Sequence, residues 1–62
     1  MARQQLILIA DPDSDFLEWT THQLSSAKTR VITTSDSEEA YRIFMREKPD
    51  VLMAETHLSP FG

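Results

Sequence analysis

Leu6-Ile7-Leu8-Ile9-Ala10-Asp11 is the stretch whose reading decides the fold. Four large aliphatic residues run without a polar break, and a small residue and an acid follow. A continuous apolar run of this length suits a strand buried on both faces, as in a parallel sheet with helices on either side. Asp11 falls where such a strand ends. In open α/β sheets, chemistry gathers outside the carboxyl ends of the strands. The run Val51-Leu52-Met53-Ala54-Glu55 repeats the design: apolar, small, acid. If the two strands are neighbours, Asp11 and Glu55 share one crevice.

Working outward, the pattern predicts strand, helix, strand, helix, strand. The first strand covers about Gln5 to Ala10, behind polar residues 1–4 that are expected to fray. Asp11-Pro12-Asp13-Ser14-Asp15 then leads into a helix of about Ser14 to Ala27. Asp13 or Ser14 is the expected N-cap, and the clustered acids suit the positive end of a helix dipole. Phe16, Thr20, Leu24 and Ala27 recur at helical spacing with Leu17 beside them, and Trp19 is expected to be half-buried. The β-branched run Val31-Ile32-Thr33-Thr34 predicts a second strand of about Arg30 to Thr34, polar enough to be an edge. Ser35-Asp36-Ser37-Glu38 reads as a capping box for a second helix of about Asp36 to Glu47. Ala40, Ile43, Phe44 and Glu47 fall on one stripe of this helix, its charged face pairs Arg42 with Glu38 or Glu39, and Lys48-Pro49 ends it. Met45 and Met53 are expected in the core. Helical connections of this length imply parallel strands with right-handed crossovers.

The bulk numbers narrow the function classes. Sixty-two residues make at most one domain, marginal in the surface it can bury. With no cysteine there is no disulfide and no thiolate zinc site. Ten Asp and Glu against six Lys and Arg argue against nucleic acid as a direct partner. No apolar run approaches the roughly 20 residues of a membrane span, and no signal peptide is legible, so a soluble cytoplasmic chain is expected. The only glycine is Gly62, so turns must be made with Asp, Ser, Lys and Pro.

Four motifs in register resemble the N-terminal half of the receiver domain of two-component response regulators. They are the aliphatic first strand with its acids Asp11 and Asp13, the helix opening Ser35-Asp36-Ser37-Glu38-Glu39-Ala40, the Lys48-Pro49-Asp50 link, and the third strand. The resemblance covers Leu6 to about Leu58. It implies a flavodoxin-like half-fold: a three-stranded parallel sheet in order 2-1-3 with one helix on each face, in a single truncated domain spanning residues 1–62. It implies an acidic pocket of Asp11, Asp13 and Glu55, with Glu55 at the phosphoacceptor position. These carboxylates repel one another and would favour a cation, for which Mg²⁺ is the candidate and Asp11, Asp13 and Glu55 the candidate ligands.

The departures are equally specific. The acceptor position carries Glu55 where the family has Asp, and Pro12 replaces an acid that is a magnesium ligand. Ser59 stands where a proline is expected, with Pro60 after it. The strands bearing the family's Ser/Thr and Lys have no counterpart in the 62 residues. The resulting expectation is a signalling module and not an enzyme: an atypical receiver acting by phosphorylation-independent protein interaction. The alternative is a Mg²⁺-dependent phosphoacceptor that takes a phosphoryl group from a histidine kinase on Glu55. A third reading is a fragment whose own function is lost. Expected partners are a histidine kinase, a phosphotransfer protein or a downstream output domain. A second copy of the chain, paired along the open third-strand edge, is also expected. Each acid also has a plainer reading: Asp11 and Asp13 cap a helix, Glu55 is a solvated strand end, and His57 is an exposed loop histidine.

Overall fold

Burial on both faces of the first strand is the feature from which the architecture follows. A computed structural model describes residues 3–54. In it β1 (Gln5–Ala10) is the central strand, flanked by β2 (Thr29–Thr34) and β3 (Val51–Ala54). All pairing is parallel, with Gln5 to Ala10 opposite Thr29 to Thr34 and Ile7 to Ala10 opposite Val51 to Ala54. The sheet order is therefore β2-β1-β3, as expected from the sequence. Ile7, Leu8, Ile9 and Ala10 are all buried. Successive strand side chains alternate between faces, so four consecutive buried residues need a layer on each side.

Helix α1 (Ser14–Leu24) covers one face, where Leu17 packs with Ile7 and Ile9, and Leu24 and Val31 close the cluster. Helix α2 (Ser37–Glu47) buries Ala40 and Ile43 and packs against β1 and β2, on the Leu8 and Ala10 side. Full burial of an aliphatic side chain such as Leu8 or Ile9 contributes about 1.5–3 kcal/mol.

Several local expectations are corrected. The inward stripe of α1 is Leu17, Thr20 and Leu24, with Phe16 on its rim, and Ala27 lies outside the helix and exposed. The helix stops at Leu24 because Ser25 turns extended (φ −68°, ψ 137°), and Ser26 and Thr29 exchange backbone hydrogen bonds at 3.2 and 3.3 Å. The Ser26 hydroxyl oxygen accepts from the Lys28 amide at 3.2 Å, a serine competing with helical bonding. Trp19 is 61% exposed, not half-buried, because it sits two residues, about 200°, around the helix from Leu17. Met45 (56% exposed) and Met53 (40% exposed) are not core residues. Met45 follows the inward Ile43 by the same two-residue step, and Met53 stands on an edge strand.

The second helix takes Asp36, not Ser35, as its cap, and Glu38 pairs forward with Arg42 at 3.4 Å instead of reaching back. It closes at Lys48, which adopts the left-handed conformation (φ 50°, ψ 63°) and donates its amide to the Phe44 carbonyl. Glycine usually takes that position, and this chain has none to spare.

Arg3 and Gln4 are tied down, against the expectation that they fray; residues 1 and 2 lie outside the described residues. Arg3 donates from both terminal nitrogens to the Asp50 carboxylate at 3.1 and 2.6 Å. Asp50 Oδ2 also accepts from the Leu6 amide at 2.7 Å, and the Asp50 amide donates to the Leu6 carbonyl at 2.8 Å. Gln4 donates to the Ala27 carbonyl at 3.3 Å. Asp50 thus fixes where β3 begins relative to β1. The Arg3 hydrogen bond, with the Leu6 amide second, holds its carboxyl below the usual carboxylate range.

Candidate functional site at the carboxyl ends of the strands

Two βα junctions stand side by side at the carboxyl edge of the sheet, and they are built alike. At the end of β1, Asp11 Oδ1 accepts from the Asp13 amide at 2.9 Å. Asp13 Oδ1 in turn accepts from the amides of Asp15 at 3.0 Å and Phe16 at 3.2 Å, capping α1. At the end of β2, Thr34 Oγ1 accepts from the Asp36 amide at 3.1 Å. Asp36 Oδ1 then accepts from the Glu38 amide at 3.1 Å, capping α2. In each case an oxygen-bearing side chain at the strand end turns the chain, and the acid two residues on satisfies amides that the first helical turn leaves without partners. The Asp11 amide donates to the Thr34 carbonyl at 3.1 Å and joins the two junctions. The signal for this device was the repeated two-residue spacing of oxygen-bearing side chains, Asp11-Asp13 and Thr34-Asp36.

The capping reading of Asp13 is therefore correct, and Ser14 is the first helical residue. Asp11 is half-buried, and among the described residues one of its two carboxylate oxygens accepts no hydrogen bond. Ala10 lies opposite Ala54, so the central strand and β3 end level with one another. The third member of the expected acidic pocket, Glu55, and the loop histidine His57 lie outside the described residues.

Among the described residues no three His, Cys, Asp or Glu side chains are grouped to hold a metal ion. The expected magnesium site of Asp11, Asp13 and Glu55 includes a residue outside the described ones, and of the other two Asp13 caps α1 through Oδ1. No described helix is long and apolar enough to cross a membrane. The anchor missed by sequence reasoning is Asp50 with Arg3, 47 positions apart, a distance at which no local pattern exists. Compared with family models, curated proteins and solved structures, the chain finds no match.

Proposed function

We propose that the chain is an atypical response-regulator receiver module of two-component signalling that acts by protein interaction, without a phosphorylation cycle. The observation that carries this reading is the level ending of β1 and β3, Ala10 opposite Ala54, in a parallel sheet of order β2-β1-β3. The next residue in sequence after each is an acid, Asp11 and Glu55. Glutamate in place of aspartate moves the carboxylate by about one bond length, ~1.5 Å. Phosphoryl transfer depends on positioning, so that shift is costly to an acceptor. Pro12 removes one carboxylate from the pocket, and the bond from the Asp15 and Phe16 amides keeps Asp13 at the helix terminus. A glutamate carries part of the charge of a phosphorylated side chain, which suits a module held in one signalling state. On this reading the partners are a histidine kinase, a phosphotransfer protein or an output domain, in the cytoplasm.

Intact-mass spectrometry after incubation with Mg²⁺ and a small-molecule phosphodonor tests this. The chain is run beside a Glu55→Asp variant. The expected result is no phosphoryl adduct on the native chain. An adduct on Glu55→Asp alone would mean that glutamate disables a working crevice. An adduct on the native chain overturns the reading and makes Glu55 a magnesium-dependent phosphoacceptor.

A further inference from the structure

The charge of this molecule is unevenly placed. Residues 11–27 hold four acids, Asp11, Asp13, Asp15 and Glu18, and no Lys or Arg. The other six acids are balanced by all six Lys and Arg residues, so the whole net charge of −4 belongs to the α1 segment. Three of those other acids, Glu38, Glu47 and Asp50, are paired with Arg42, Arg46 and Arg3. Asp15 and Glu18 have no ion-pair partner among the described residues.

Asp15, Glu18, Trp19 and His22 follow one another at i, i+3, i+4 and i+7, which puts them on a single face of α1 about 10 Å long. They line an open depression of about 320 Å³. That is at the low end of ligand sites, roughly 300–1,000 Å³, and suits one side chain more than a cofactor. Its lining includes the exposed indole of Trp19 and the carboxylates of Asp15 and Glu18. An exposed tryptophan on the same helix face as two carboxylates without ion-pair partners among the described residues suits a planar cation. A guanidinium stacks on an indole while its fork of N–H groups donates to carboxylate oxygens.

We propose that this face of α1 docks an arginine-bearing basic segment of a protein partner. The guanidinium lies on Trp19 and donates to Asp15 and Glu18. The site shares no side chain with the strand-end acids Asp11, Asp13 and Glu55, so the proposal is tested independently of any phosphoryl chemistry.

Trp19 is the only tryptophan, so the emission of the native chain reports directly on the site. The probe is a capped Gly-Arg-Gly-Arg-Gly peptide, with its citrulline counterpart as the uncharged, isosteric control. A saturable change in emission is expected with the arginine peptide and not with the citrulline one. The Asp15→Asn/Glu18→Gln variant is expected to weaken binding by up to about fivefold for each of the two exposed ion pairs lost. A Glu38→Gln/Glu39→Gln variant on α2, with the same change in net charge, is expected to bind as the native chain does. Equal weakening in both variants would reduce the effect to diffuse attraction and overturn the proposal. So would the absence of a saturable change at millimolar peptide.

Discussion

Asp50 shows how one residue sets a register. Its carboxylate holds the Arg3 guanidinium through two hydrogen bonds and takes the Leu6 amide, while its own amide returns to the Leu6 carbonyl. The folded state therefore stabilises the ionised carboxyl, and its pKa is lowered chiefly by Arg3 and then by the Leu6 amide. The sign follows from linkage. A group whose folded pKa lies below its unfolded value, about 3.9 for Asp, contributes stability that is present above the unfolded value. That contribution is lost as pH falls through the folded pKa. Urea unfolding followed from pH 7 down to pH 3 should show the native chain losing its advantage over Asp50→Asn as the acid range is entered. A gap between the two that stays constant over that range would mean that the ionised carboxyl is not what anchors β3.

At the scale of elements, the two βα junctions explain why short helices of 11 residues hold. Isolated helices of this length are marginal in water, so caps and packing decide whether they form. Asp13→Ala and Asp36→Ala should each lower stability by about 1 kcal/mol, within the 0.5–2 kcal/mol range of lost caps. The comparison separates structure from function at Asp13. Asp36 occupies the equivalent place on α2, and no site reading claims it. If chemical denaturation gives the two variants similar losses, capping accounts for Asp13. If adding Mg²⁺ stabilises the native chain and not Asp13→Ala, a cation role must be added to the cap.

For the whole molecule, the two sheet edges are unequal. β2 carries the exposed Arg30, and Ser26 bridges back to Thr29 at its start. The edge strand β3 has no charge within Val51–Ala54, and Val51 and Met53 are 37% and 40% exposed. Through their pairing with Ile7 and Ile9 they lie on the α1 face, while α1 packs mainly over β2. An uncharged apolar edge is a template for another strand. Sedimentation velocity at high micromolar concentration should therefore show self-association, and Met53→Lys should reduce it by placing a charge on the edge. A monodisperse native monomer would remove the homo-oligomer from the list of partners.

Much of this was legible in the sequence because the signals were local. The unbroken run Ile7–Ala10 required a strand covered on both faces, and connections of helical length required parallel neighbours. The acids after β1 identified a helix start, and the Glu38–Arg42 pair followed from its four-residue spacing. The same residues determined that Asp11 would stand at a strand end. Other features depended on elements distant in sequence. A helix stripe read from spacing alone can rotate by one position, which is how Leu17 displaced Phe16 from the interior. Hydrophobicity placed Met45 and Met53 in a core that only packing could deny them. The Arg3–Asp50 anchor joins residues 47 apart in sequence, and the α1 depression needed the helix face to be known before Asp15, Glu18, Trp19 and His22 became one surface. Sequence determined the order of elements and the acids at their ends through short-range chemistry. Tertiary structure decided which faces were left uncovered, because burial is a property of neighbours that the chain brings together only on folding.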